Sequence, residues 1–103
     1  MASRLEALEK MVAAGVDNPM AWYGLAMEYR SQKRYDDALR AFERTREKYP
    51  AYVPQYLMAA QMLQETARPA EARAWCEAGI AAARSARDAH AQGELEGFLA
   101  TLS

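Results

Sequence analysis

A thiol, an imidazole and two arginines are the side chains in this sequence whose types and spacing could do chemistry. Cys76 is the one cysteine and His90 the one histidine in 103 residues. A thiol becomes a nucleophile when a neighbouring base or positive charge draws off its proton. No histidine accompanies Cys76 on its own stretch of chain, so it reads as a buried, inert thiol. A zinc site takes several Cys or His ligands, and one of each is too few. His90 stands four residues before Glu94, the spacing of a solvated helical pair. Arg40 and Arg44 share a helix face at the same spacing and could bind an anion, but Glu43 and Glu47 are interleaved with them. That pattern reads as a salt-bridged surface. The chain has no glycine-rich phosphate loop and no visible pair of carboxylates set in a pocket. The expectation is therefore no catalytic residue, no metal, no cofactor and no enzyme activity.

The elements that carry these residues are helical. Hydrophobic residues make up 51% of the chain and charged residues 26%, a globular composition. Ala, Leu, Met, Glu, Arg and Gln recur throughout and lose little side-chain entropy in a helix. Only 5 Gly and 4 Pro interrupt them, and no β-branched run argues for a sheet. The length suits one domain with a thin core. A net charge of -1 provides no long-range field for a polyanion, so nucleic acid is not the expected partner. No stretch has the form of a signal peptide or the length of a membrane span. With a single cysteine, the default setting is a reducing cytoplasm.

A fixed period organises the chain. Shifted by 34 residues, Trp22 meets Tyr56, Ala26 meets Ala60 and Tyr29 meets Leu63. At the same offset Ala38 meets Ala72, Phe42 meets Cys76 and Thr45 meets Gly79. Large residues meet large and small meet small. Trp22, Leu25, Ala26 and Tyr29 form one helical stripe; Ala38, Phe42 and Thr45 form a second. Trp22 and Ala38 are expected in the core between them. The small Ala38 lets the two helices approach closely. Lys33 and Arg34 lie at the turn between them, and Pro50 stops the second helix.

These residues resemble the tetratricopeptide repeat family, whose pattern over 34 residues is W-x2-L-G-x2-Y, then A-x3-F, then P. Trp22, Leu25, Ala26 in place of Gly, Tyr29, Ala38, Phe42 and Pro50 fit it, with Tyr35 as the aromatic that opens the second helix. The second repeat is more degenerate. Tyr56, Ala59, Ala60, Leu63, Ala72, Cys76 and Gly79 fit by size, while Pro69 replaces an aromatic and Arg84 the closing Pro. The 34-residue offset and near-neutral charge do not match the longer, basic pentatricopeptide repeat, nor the longer Sel1-type repeat. The resemblance implies an all-α fold, a right-handed α-solenoid of antiparallel helix pairs with about six helices.

Two repeats alone would leave apolar faces open, so the flanks should close them. Ser3-x-x-Glu6 is a capping-box pattern, and Leu5, Leu8 and Val12 follow at helical spacing. Asn18 and Pro19 suit the N-cap and first position of the next helix. At the other end, Leu95, Phe98, Leu99 and Leu102 form a last stripe, with Ser85-x-x-Asp88 as its cap. The organisation expected is one domain over 1–103: an N-terminal helix in 3–17, repeats at 19–52 and 53–86, and a capping helix in 87–103. The helices are placed near 3–14, 18–31, 35–48, 53–66, 69–83 and 86–102.

The resemblance also implies a function. In the family, the first helix of each pair lines a concave face that grips a peptide or helix of a partner protein. Here that face would present Tyr23, Met27 and Arg30 from one repeat, and Leu57, Met58, Gln61 and Gln64 from the next. Methionines with a tyrosine make an adaptable apolar surface. One subfamily clamps the carboxylate of chaperone tails with Lys, Asn and Arg. Its positions fall here on Tyr23, Met27, Met58, Asp88 and Gln92, none of which matches, so no such clamp is expected. The expected function is a protein-interaction adaptor. The alternative is self-assembly, a homodimer through the same apolar groove.

Overall fold

The computed structural model describes residues 3–102. Met1, Ala2 and Ser103, included in the expected domain and capping-helix bounds, lie outside the described residues. Six helices follow in order: α1 Arg4–Ala13, α2 Pro19–Ser31, α3 Tyr35–Lys48, α4 Pro54–Glu65, α5 Pro69–Ser85 and α6 Ala89–Thr101. No strand occurs among the described residues. They form two compact units, the first ending at Tyr49 and the second starting at Pro50, and each is described by itself.

In the first unit, local chemistry fixes where the helices start. The Ser3 hydroxyl accepts the Glu6 N–H at 3.1 Å, and the Asn18 carboxamide oxygen accepts that of Met20 at 2.9 Å. Each satisfies a backbone donor that the helix itself leaves open. Pro19 opens α2 without loss because its missing N–H would have had no partner. Gly24 lets α1 come close: a Cβ there would sit 3.3 Å from a Leu8 methyl. Arg4 and Glu28 meet at 3.5 Å between the same two helices. Leu25 and Ala26 of α2 are buried with Ala38, Ala41 and Phe42 of α3. Thr45 is also fully buried, and its hydroxyl donates to the Ala41 carbonyl at 2.8 Å. That bond removes the penalty of burying a hydroxyl among apolar groups.

The second unit packs α4 on α5 and lays α6 over them. Tyr56, Ala59, Ala60 and Leu63 face Ala72, Trp75, Cys76 and Ala83, all buried. Gly79 is what brings α4 so near: a Cβ at this position would lie 2.5 Å from the Tyr56 Cβ and 3.1 Å from the Leu95 methyls. Leu95 and Leu102 are the buried residues at the C-terminal end, while Phe98 and Leu99 stay half-buried. The expected cap needs correction. Ser85 does not start α6 but is the last residue of α5, which has no proline or terminal glycine to stop it sooner. Asp88 is the N-cap, its carboxylate accepting the Ala91 N–H at 3.0 Å.

Four of these helices end in the same closure. Gly15, Lys33, Ala67 and Arg87 take φ of 78°, 60°, 61° and 56°. In the first repeat the Lys33 N–H donates to the Arg30 carbonyl and the Arg34 N–H to Tyr29; in the second, Ala67 bonds Gln64 and Arg68 bonds Leu63. This is the Schellman arrangement, which satisfies the last carbonyls of a helix. It normally takes glycine, since a Cβ is strained in the left-handed region. In both repeats the arginine that follows the turn is also reused. Arg34 bonds Asp37, and Arg68 bonds Glu71 through Nε and Nη2, at 2.8 and 2.7 Å.

Candidate functional site

Tyr23, Met27 and Arg30 follow one another along α2 at helical spacing, and all three are half-buried. The Tyr23 ring meets that of Phe42 edge-on, with centroids 6.3 Å apart and planes at 64°. One side of Tyr23 is thus anchored on α3. In the second unit, Leu57, Met58 and Gln61 are half-buried on α4 and Gln64 is exposed. Leu25, Ala26, Ala59, Ala60 and Leu63 on the same two helices are buried almost completely. The apolar residues off the core stripe therefore keep part of their surface open.

The chemistry-bearing side chains are placed as solvated or inert groups. Cys76 is fully buried, and that burial pushes its thiol above the ordinary range, away from the reactive thiolate. His90 and Glu94 are 3.2 Å apart on the exposed face of α6. Arg44 pairs with Glu47 at 3.4 Å. Arg40 bonds Asp37, three residues earlier on α3, so the arginine face is the salt-bridged, solvated one expected. The guanidiniums of Arg34 and Arg40 together hold the Asp37 carboxyl below the usual carboxylate range. Of the positions compared with the carboxylate clamp, Asp88 caps α6 and Gln92 is half-buried along it. Among the described residues no group of three His, Cys, Asp or Glu is placed to hold a metal, and no helix is long and apolar enough to cross a membrane.

One site went unread in the sequence. Trp22, expected in the core, is only half-buried and lines a cavity of about 380 Å³ within the first unit. Val12 of α1, Leu25 of α2 and Ala41 of α3 complete its apolar lining. Arg40, Arg44 and Asp37 stand along the α3 side and Glu9 on the α1 side. Tyr29, also half-buried, closes one edge. Its hydroxyl donates to Glu9 at 2.8 Å and the Arg34 guanidinium lies 4.6 Å over its ring. Burial first, then the Glu9 carboxylate, raises the Tyr29 pKa.

The repeat geometry matches known proteins. The model of the tetratricopeptide repeat matches residues 19–52. The TPR repeat-containing protein PA0015 of Pseudomonas aeruginosa is 33% identical over 98 residues, covering 95% of this chain and 93% of that protein. The chain belongs to the tetratricopeptide repeat family. A solution structure of protein BPP2914 from Bordetella parapertussis has a similar fold, with a TM-score of 0.80 and 32% identity, over 96% of this chain and 86% of that one. TPR repeats are in general protein–protein interaction modules, and helical repeats of this kind are in general not enzymes. The TPR pattern also accounts for the residues found in the core. Leu25, Ala26, Ala38 and Phe42 fill motif positions and are all buried.

Proposed function

We propose that this TPR protein is an adaptor that binds a peptide or helix of a partner protein. The contacts are Tyr23, Met27 and Arg30 on α2, and Leu57, Met58, Gln61 and Gln64 on α4. The observation that carries the reading is the partial exposure of Tyr23, Met27, Leu57 and Met58 on helices whose core-stripe leucines and alanines are buried. An apolar side chain left half in water gains by desolvation when a partner covers it. Met27 and Met58 adapt to different shapes because the thioether chain is unbranched and polarizable. Arg30, Gln61 and Gln64 place hydrogen-bonding groups beside the apolar ones, which orients a ligand. Equivalence between the repeats also supports the reading. Leu57 follows Tyr23, Gln61 follows Met27 and Gln64 follows Arg30 by one repeat. The working compartment we assign is the cytoplasm, where a lone cysteine without a disulfide is at home.

The test is a pull-down with mass spectrometry, comparing wild type with a Met27→Glu/Met58→Glu double variant. The variant should stay folded and unfold cooperatively, losing no more than about 1–2 kcal/mol over two half-buried positions. Its specific partners should be lost, because a carboxylate buried against an apolar ligand has no mate. Unchanged recovery by a stably folded double variant would sink the proposal. Light scattering at two concentrations addresses the homodimer: a mass that doubles with concentration, and does so only when both methionines are present, would replace the adaptor by self-assembly.

A further inference from the structure

The cavity at Trp22 has a cause in the repeat itself. In the second unit the position equivalent to Trp22 is Tyr56, and that ring is covered. Trp75 packs on it with centroids 5.9 Å apart, leaving Tyr56 only 3% exposed. One repeat earlier, the position of Trp75 is held by Ala41. A methyl group replaces an indole, and Trp22 is left facing the open space. The second unit thus shows which chemistry fills such a site: an aromatic ring. At about 380 Å³ the space falls within the range of pockets that hold small ligands.

The rim differs between repeats in the same way. Arg40 and Arg44 stand where the second repeat has Ala74 and Ala78. Both guanidiniums are largely in solvent, with side chains 69% and 62% exposed. The acids beside the cavity are already engaged. Asp37 accepts from Arg34 and Arg40, and Glu9 accepts from the Tyr29 hydroxyl. Arg44 makes one contact of 3.4 Å to Glu47, itself 66% exposed. Most of its donors therefore face water and are available to an incoming anion on the α3 side.

From these observations we infer that the cavity takes an aromatic side chain of a partner peptide with a carboxylate next to it. The ring lies against Trp22, Leu25 and Val12 in the space that Ala41 leaves. The carboxylate is held by Arg44 and Arg40. This site uses none of the residues assigned to the adaptor surface, so either can fail without the other.

The probe is the capped peptide acetyl-Glu-Phe-Glu-amide, titrated into the full chain while the two indole N–H resonances are followed by NMR. Trp22→Phe assigns them, since Trp75 is the other tryptophan. The peptide should move the Trp22 resonance saturably and leave that of Trp75 in place. Acetyl-Gln-Phe-Gln-amide and acetyl-Glu-Ala-Glu-amide should each bind about tenfold more weakly or worse, the loss expected when a charge-assisted bond or the ring is removed. Arg40→Ala/Arg44→Ala should weaken the acidic peptide to the level of its Gln counterpart, and Ala41→Trp should abolish binding by filling the space from within. No movement of the Trp22 resonance, or equal binding of the Gln or Ala peptide, overturns the inference. So does a Trp22 resonance that shifts with protein concentration alone, which would make a second copy the occupant. If Ala41→Trp does not fold, the double arginine variant decides the matter, since it alters only exposed side chains.

Discussion

Replacing glycine by alanine at two sites of the second unit should change stability in opposite directions. At Gly79 a Cβ would meet the Tyr56 Cβ at 2.5 Å and two Leu95 methyls at 3.1 Å. The Leu95 end of the clash can rotate away, but the Tyr56 Cβ is fixed to its backbone, so α4 and α5 must separate. Overpacking of this kind costs about 1–3 kcal/mol, and a backbone-anchored contact belongs near the upper end. Alanine returns about 1 kcal/mol through helix propensity, leaving a net loss of about 1–2 kcal/mol. At Gly97, in the second half of α6, a Cβ meets nothing within 4 Å. There the propensity term stands alone and Gly97→Ala should stabilise by about 0.8–1 kcal/mol. Urea unfolding followed by circular dichroism gives both values with the same slope if the unfolded state is unchanged. The melting temperatures should move apart, by roughly 4–8 °C for each 1 kcal/mol in a domain of this size. Equal stabilisation by the two substitutions would refute the close approach of α4 and α5 at Gly79.

Ala67 closes α4 with a φ of 61°, so Ala67→Gly should stabilise by up to about 1 kcal/mol by relieving the left-handed strain; a loss of stability on denaturant unfolding would mean the turn is not of this form. Cys76, buried and with its thiol pushed up by that burial, should resist iodoacetamide at neutral pH and react at an ordinary rate once urea unfolds the chain. Rapid modification of the folded protein, read by mass spectrometry, would contradict its placement in the core.

The sequence by itself determined the elements of this protein. Helix starts at Ser3 and Asn18 depend on one side chain and the N–H two or three residues on, so they are written in a few adjacent letters. The 34-residue offset located the buried pairs Ala26 with Ala60 and Ala38 with Ala72, because small residues at a helix crossing leave a periodic trace. The half-burial of Tyr23, Met27, Leu57 and Met58 likewise follows from their displacement off the core stripe. Tertiary structure alone decided three other matters. Ser85 could cap a helix in sequence, but α5 runs through it and Asp88 takes the role. Lys33, Ala67 and Arg87 carry no sign of a left-handed turn, because the conformation is imposed by the two carbonyls each closure must satisfy. Trp22 has the residue type of a core position, yet its burial depends on what a different helix brings to it. Trp75 covers Tyr56 and Ala41 leaves Trp22 open. The letters for that difference are in the chain, but their meaning comes from which side chains meet in space, and burial is a property of both partners.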